Sequence, residues 1–200
     1  MPALPPKFFD QDADTVAREL LGATLLFQGV GGVIVETESY DTADPASHSH
    51  KGRTSRNASM FGAVATAYVY RSYGIHWCLN LVCGTQPGGA VLIRALHPTH
   101  GLDVMATRRG LDTERLLCGG PGRLTQALGL TISHDGLPLD ALPFQLLIGE
   151  VPTGILVGPR IGITKNKDAP RRFGIAGSRW LSRGFGNNAL LLRASGSILD

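Results

Sequence analysis

The stretch YRSYGIHWCLN, Tyr70 to Asn80, reads as two short strands joined by a reversal. Aromatic and β-branched residues alternate on either side of Tyr73–Gly74, where the chain must turn back. Such tips normally carry Gly, Asn, Asp, Ser or Pro, so a tyrosine there is either packed on a neighbour or meant to enter another molecule. A three-residue loop of Ser72, Tyr73 and left-handed Gly74 would set Tyr70 opposite His76 and place Tyr68, Tyr70, His76, Cys78 and Asn80 on one face. A two-residue loop would put Asn80 on the opposite face from Tyr70.

Outward from this hairpin, strand-like runs occur at 24–28, 33–40, 66–71, 75–83, 90–96, 144–149 and 154–164. Helical patterning is confined to an N-terminal segment and to about 101–109 and 121–129. In the first helix, Asp10 to Asp14 supply capping oxygens, Val16, Leu20 and Leu21 recur on one face, and Gly22 ends it. Seven strands with few helices between them argue against alternating parallel units. The expected class is α+β: one domain over residues 1–200, with a curved antiparallel or mixed sheet, a few flanking helices and a protruding hairpin.

The 19 Lys and Arg residues, against 16 Asp and Glu, are mostly arginine. Arginine's flat fork suits phosphates and base edges. Cys78, Cys83 and Cys118 are odd in number and lack metal-ligand spacing, so they read as buried thiols of a reducing compartment. With no charged-then-apolar leader and no apolar run long enough to span a bilayer, the expectation is a soluble cytoplasmic protein without a membrane partner, taken as a monomer.

In VIVETESY, residues 33–40, simple alternation puts Ile34, Glu36, Glu38 and Tyr40 on one face. Two carboxylates about 7 Å apart along a strand could serve acid–base chemistry on a glycosidic bond. They could equally be solvated on an outer face. The loop that follows, DTADPASHSHKGRTSRNASMFG, is too long and polar for a simple connection. Its His48 and His50 form a weak metal pattern, and no metal or other cofactor is expected. Lys51, Arg53 and Arg56 there, with Lys165, Lys167, Arg171 and Arg172 in KNKDAPRR, followed by Arg179 and Arg183, look like paired basic loops for a nucleic-acid backbone. Between them Tyr73 is placed to wedge into a base stack.

VETESY, ASHS, RTSRNASMF, YVYRSYG with downstream CLN, and VLIRAL, in this order, resemble the alkyladenine family of DNA glycosylases, also called methylpurine or 3-methyladenine DNA glycosylases. The resemblance covers about residues 17–130. CGGPGRLTQALG fits a later segment, and TKNKDAPRRF and SRW are the recognisable pieces beyond. It implies a monofunctional enzyme that flips damaged purines out of double-stranded DNA and hydrolyses the N-glycosidic bond in base excision repair. By the same resemblance, Glu38 corresponds to the general base and Arg94 to an arginine beside the catalytic water. Tyr40, His48 and Tyr70 correspond to pocket walls, Asn80 to the residue below them, and Tyr73 to the intercalating wedge. Glu36 is left as a structural group or an arginine partner. Two rivals are a helix-hairpin-helix glycosylase, prompted by GGPGRLTQALG, and a non-catalytic nucleic-acid-binding module.

Overall fold

The computed structural model describes residues 1–186 and 189–193. Among these residues three α-helices, α1 (Ala13–Glu19), α2 (Leu102–Arg109) and α3 (Pro121–Leu128), accompany nine strands. The strands are β1 (Thr24–Phe27), β2 (Val30–Tyr40), β3 (Ala67–Ser72), β4 (His76–Cys83), β5 (Gly89–His100), β6 (Phe144–Leu147), β7 (Gly154–Gly158), β8 (Arg172–Ile175) and β9 (Leu190–Arg193). They form one sheet in the order β3-β4-β5-β2-β8-β7-β9, with β1 pairing β2 and β6. Every pairing is antiparallel. The α+β expectation holds, and a helical rival fold does not fit so extensive a sheet.

β2 is the spine of the sheet. One edge pairs with β5 along nearly its whole length; the other is shared by β1 on its first half and β8 on its second. Enclosed on both edges and covered on both faces, its residues are almost all buried. The turn into it, Gln28–Gly29, has both residues at positive φ, the geometry that matches strand twist in a two-residue hairpin. Asp12 caps α1, its carboxylate accepting from the Thr15 N–H at 2.9 Å. Val16, Ala17 and Leu20 bury the helix against the sheet, where Thr37 of β2 donates to the Ala17 carbonyl at 2.7 Å. α3 lies on β4, with Thr125 bonding the Trp77 carbonyl at 2.8 Å. The main apolar core therefore fills one face of the sheet, and the opposite face carries smaller apolar clusters beside polar groups.

The hairpin loop differs by one residue from the expected one. Ser72 pairs His76 and Tyr70 pairs Cys78, so the loop is Tyr73, Gly74 and Ile75 rather than Ser72 to Gly74. Tyr73 and Gly74 both take positive φ, at 49° and 68°. Because the loop keeps three residues, the side-chain parity is unchanged, and Tyr68, Tyr70, Cys78 and Asn80 still share a face. Two other differences are larger. The run read as a strand over 154–164 stops at Gly158, ahead of Pro159, and 159–163 is irregular. Part of the basic segment read as loop is β8, four residues opened by Arg172; β9 was not foreseen.

Gly31 and Gly32 mark where β2 is pressed against both neighbours. A Cβ on Gly32 would sit 1.9 Å from the His97 carbonyl oxygen, and one on Gly31 2.0 Å from that of Leu25. Since the obstacle is backbone, Gly32→Ala is expected to cost about 1–3 kcal/mol in denaturant unfolding. Gly184→Ala, which meets nothing within 4 Å, should stay near wild type. Equal stability of the two variants would contradict this close approach.

Candidate active site

Simple alternation fails in β2, and that failure builds the site. Ile34 pairs Leu96 and Glu36 pairs Ala95, which leaves Val35 as an extra residue; Thr37 pairs Ile93, which leaves Arg94 as an extra residue on β5. Each bulge puts two consecutive side chains on one face. Ile34 consequently faces the main core, together with Ile93 and Leu96, and is not on the face of the glutamates as alternation implied. Val35 and Ala95 pack with Trp180 on the other face. On that same face Arg94 reaches two carboxylates, its Nε 3.1 Å from Glu36 Oε1 and its Nη1 3.2 Å from Glu38 Oε1.

The two glutamates have different surroundings. Glu36 is enclosed: Arg172 Nε donates to Oε1 at 2.7 Å, the Ser182 hydroxyl to Oε1 at 2.8 Å and the Ser182 N–H to Oε2 at 2.5 Å. Glu38 lines a cleft of about 620 Å³. Its Oε1 accepts from the Ile161 N–H at 2.8 Å, and its Oε2 from the Tyr40 hydroxyl at 2.8 Å. Burial pushes the Glu38 carboxyl above its ordinary range, opposed by Arg94, the Ile161 N–H and Tyr40, and assisted by Glu36. For Arg94 burial works against the charge, but Glu38 and Glu36 outweigh it and the net shift is upward. The asymmetry is physical: one arginine serves two carboxylates, so it gains more from the cluster than Glu38 does. Burial and the neighbouring Glu38 charge hold the Tyr40 phenol well above its ordinary value, so it remains a donor.

Aromatic rings wall the same cleft. Tyr68 and Tyr70 stack with centroids 5.4 Å apart, and His48 meets Tyr70 edge-on at 4.5 Å. His48 Nδ1 lies 2.9 Å from the Tyr68 hydroxyl. Burial, reinforced by Arg56, lowers the His48 pKa and favours the neutral ring. The loop holding His48 is ordered by Asn57, whose amide donates to the His48 and Gly52 carbonyls at 2.8 and 3.1 Å. Asn80, buried on β4, donates to the Tyr68 carbonyl at 3.0 Å. Tyr73 is 81% exposed at the cleft mouth, and its hydroxyl donates to the Gly162 carbonyl at 2.9 Å.

Glu38, Arg94, Tyr40, His48, Tyr70, Asn80 and Tyr73 thus converge on one cleft. The basic residues divide. Arg56 lines the cleft, and Lys51, Arg56 and Lys165 border a smaller hollow beyond His48. Arg53 and Lys167 are exposed outside both. Arg172 must be withdrawn from the backbone-contacting set: it is buried against Glu36, with the Arg183 carbonyl as a further acceptor. Arg171 is taken up by Asp41 at 2.6 Å, with Asp14 and Asp44 near it, so it braces loops rather than offering a free charge. His50 binds the Thr42 carbonyl at 3.0 Å, away from His48. Among the described residues no group of three His, Cys, Asp or Glu side chains is arranged around a metal position, and no helix is long and apolar enough to cross a membrane.

The sequence pattern of the family described as Methylpurine-DNA glycosylase matches residues 7–179. The chain belongs to the methylpurine-DNA glycosylase family. Its activity class follows: a DNA-repair glycosylase, a hydrolase of N-glycosyl bonds. Among similar proteins, one from Rhodopseudomonas palustris (strain HaA2) is 60% identical over 184 residues, 90% of each chain. One from Nitrosospira multiformis is 59% identical over 178 residues, 88% of this chain and 92% of its own. One from Granulibacter bethesdensis is 55% identical over 195 residues, 96% and 92%. Each carries the name "Putative 3-methyladenine DNA glycosylase".

The upward shift of Glu38 has a stability consequence. A carboxyl with a folded pKa above its unfolded value contributes stability at low pH and loses that contribution as pH rises through the folded value. Ionised Glu38 is therefore a strain on the glycosylase near neutrality. A glutamine fits the same contacts, since its oxygen can keep the Ile161 N–H and the Tyr40 hydroxyl can rotate to accept from the new amide. Glu38→Gln should melt at or above the wild type near pH 7, with the difference shrinking toward about pH 4. A marked loss of melting temperature near neutrality would contradict this electrostatic reading.

Proposed function

We propose that this glycosylase takes an alkylated purine of duplex DNA, swung out of the stack, between the rings of Tyr40, His48 and Tyr70, and hydrolyses its bond to the sugar with Glu38 as general base. The observation carrying this reading is that a buried carboxylate held by Arg94 lines a cleft walled by aromatic rings. An alkylated purine is electron-poor, often cationic, and already a good leaving group. It asks for little acid catalysis but gains from stabilisation of the developing sugar cation, which an ionised carboxylate supplies while it orients and deprotonates water. Arg94 fixes that carboxylate and helps place the water. Stacking on the rings favours electron-poor bases, each cation–π contact contributing about 0.5–2 kcal/mol. Asn80, which lines the same cleft, crowds the exocyclic amino group that distinguishes guanine from adenine.

Tyr73 fills the gap left by the departed nucleotide, and Lys51, Arg53, Arg56, Lys165 and Lys167 contact phosphates around it. No lysine amine is required at the sugar, so the reaction ends at an abasic site with the strand intact. Incubation with methylated duplex DNA should release free modified base, and strand breaks should appear only after alkali. Breaks that accompany release without alkali would contradict simple hydrolysis. Binding should weaken steeply with added salt.

Tyr73 tests the flipping part separately. Tyr73→Ala should leave thermal stability unchanged, since the side chain projects from a loop. It should slow single-turnover excision from duplex DNA about tenfold or more, because unstacking a nucleotide costs a few kcal/mol that the wedge offsets. Unchanged duplex excision would reduce the tip tyrosine to its contact with Gly162.

A further inference from the structure

Three consecutive residues after β7 are pinned at three separate places. The Arg160 guanidinium donates to the Ser39 carbonyl at 3.0 Å, pairs with Asp44 and lies 4.5 Å from the centroid of the Tyr40 ring. The Ile161 N–H holds Glu38 Oε1. The Gly162 carbonyl accepts from Tyr73. Arg160 is completely buried at its side chain, yet among the described residues its Nε and Nη2 have no hydrogen-bond partner. Burying a guanidinium carries a desolvation cost, against which Arg160 has the Asp44 carboxylate and the Ser39 carbonyl. Its position nevertheless connects it to both oxygens of Glu38. One is held by the residue next to it in the chain, the other by the hydroxyl of the ring it covers.

We propose that Arg160 is a positioning residue for Glu38. Its anchorage to Asp44 and Ser39 fixes the backbone so that the Ile161 N–H stays on Oε1. Its charge over the π face of Tyr40 draws electron density from the ring and makes the phenol a stronger donor to Oε2. Both effects favour the ionised, oriented carboxylate in a site where burial favours the neutral acid. Arg160 does not border the cleft, so it acts only through these neighbours. The inference rests on Glu38 being the base.

The groups facing Glu38 are Arg94 from β5, Glu36 and Tyr40 from β2, Tyr70 from β3, Cys78 from β4 and Arg172 from β8. A substitution at Arg160 alters none of these covalently, so a displaced pH profile reports the part played by Arg160. The experiment is single-turnover base release from methylated duplex DNA as a function of pH. Activity requires ionised Glu38 and falls as pH drops through its folded pKa. In Arg160→Met that acid limb should move to higher pH by about half a unit or more, with lesion-duplex affinity within about twofold of wild type. Arg160→Lys, which restores the charge and a donor to Asp44, should bring the limb back toward wild type. Asp44→Asn loosens the same arginine without emptying the core. It should move the limb in the same direction by less, and it keeps the test open if the methionine variant does not fold. An unmoved limb in whichever of these two variants folds, with loss confined to thermal stability, overturns the proposal. Retained activity in Glu38→Gln would instead remove the reading beneath it.

Discussion

Arg94 can neutralise part of both Glu36 and Glu38 because the sheet slips by one residue on each of two adjacent strands. Without the extra residue on β2, Glu36 and Glu38 would follow Ile34 onto the face packed against the helices, where two carboxylates have no place. On β5, strict alternation counted from Leu96, the partner of Ile34, would carry Arg94 onto that same face. The bulges let β2 run as a buried spine in its first half and as the floor of a polar site in its second. Glu36, bound by Arg94, Arg172 and the Ser182 main-chain and hydroxyl groups, ties β2, β5, β8 and the segment after β8 together. Glu38 inherits a fixed position from that cluster while keeping its access to the cleft.

Much of this arrangement was legible in the sequence, for reasons that particular residues make clear. Strands β1 to β7 announced themselves through β-branched and aromatic runs, and the hairpin parity survived an error of one residue in the loop because three-residue loops preserve which side chains share a face. The convergence of Glu38, Tyr40, His48, Tyr70, Asn80 and Arg94 came from motif resemblance rather than from spacing; alternation alone would have put Ile34 with the glutamates. Bulges leave no mark in residue type when the extra residues are Val35 and Arg94. β8 was hidden because its four residues open with an arginine that looked like part of a basic loop.

What the sequence could not convey is where charge is spent inside. Arg171 and Arg172 look like Lys165 and Lys167 in a string of letters, yet the first two balance buried or half-buried carboxylates and the last two face solvent. The same holds for Arg160, which follows a proline at the end of a strand and shows no motif of its own. Backbone donors such as the Ile161 N–H carry no side-chain signal. Tyr68 was visible on the correct face, but its contact with His48 depends on a loop closing over it from twenty residues earlier.

Two glutamates, two residues apart, sit in one cluster and share one arginine, yet in the proposed function they take opposite parts: Glu38 performs chemistry and Glu36 holds the frame. The measurement that separates them is single-turnover base release from methylated duplex DNA by Glu38→Gln and Glu36→Gln, each compared with its own melting curve. If this assignment holds, Glu38→Gln should stay folded, bind the lesion duplex at least as well as wild type and lose about 10²- to 10⁴-fold in rate. Glu36→Gln should lose stability first and activity only in proportion to it. A Glu38→Gln enzyme working near the wild-type rate, or a stable Glu36→Gln enzyme without activity, would contradict it.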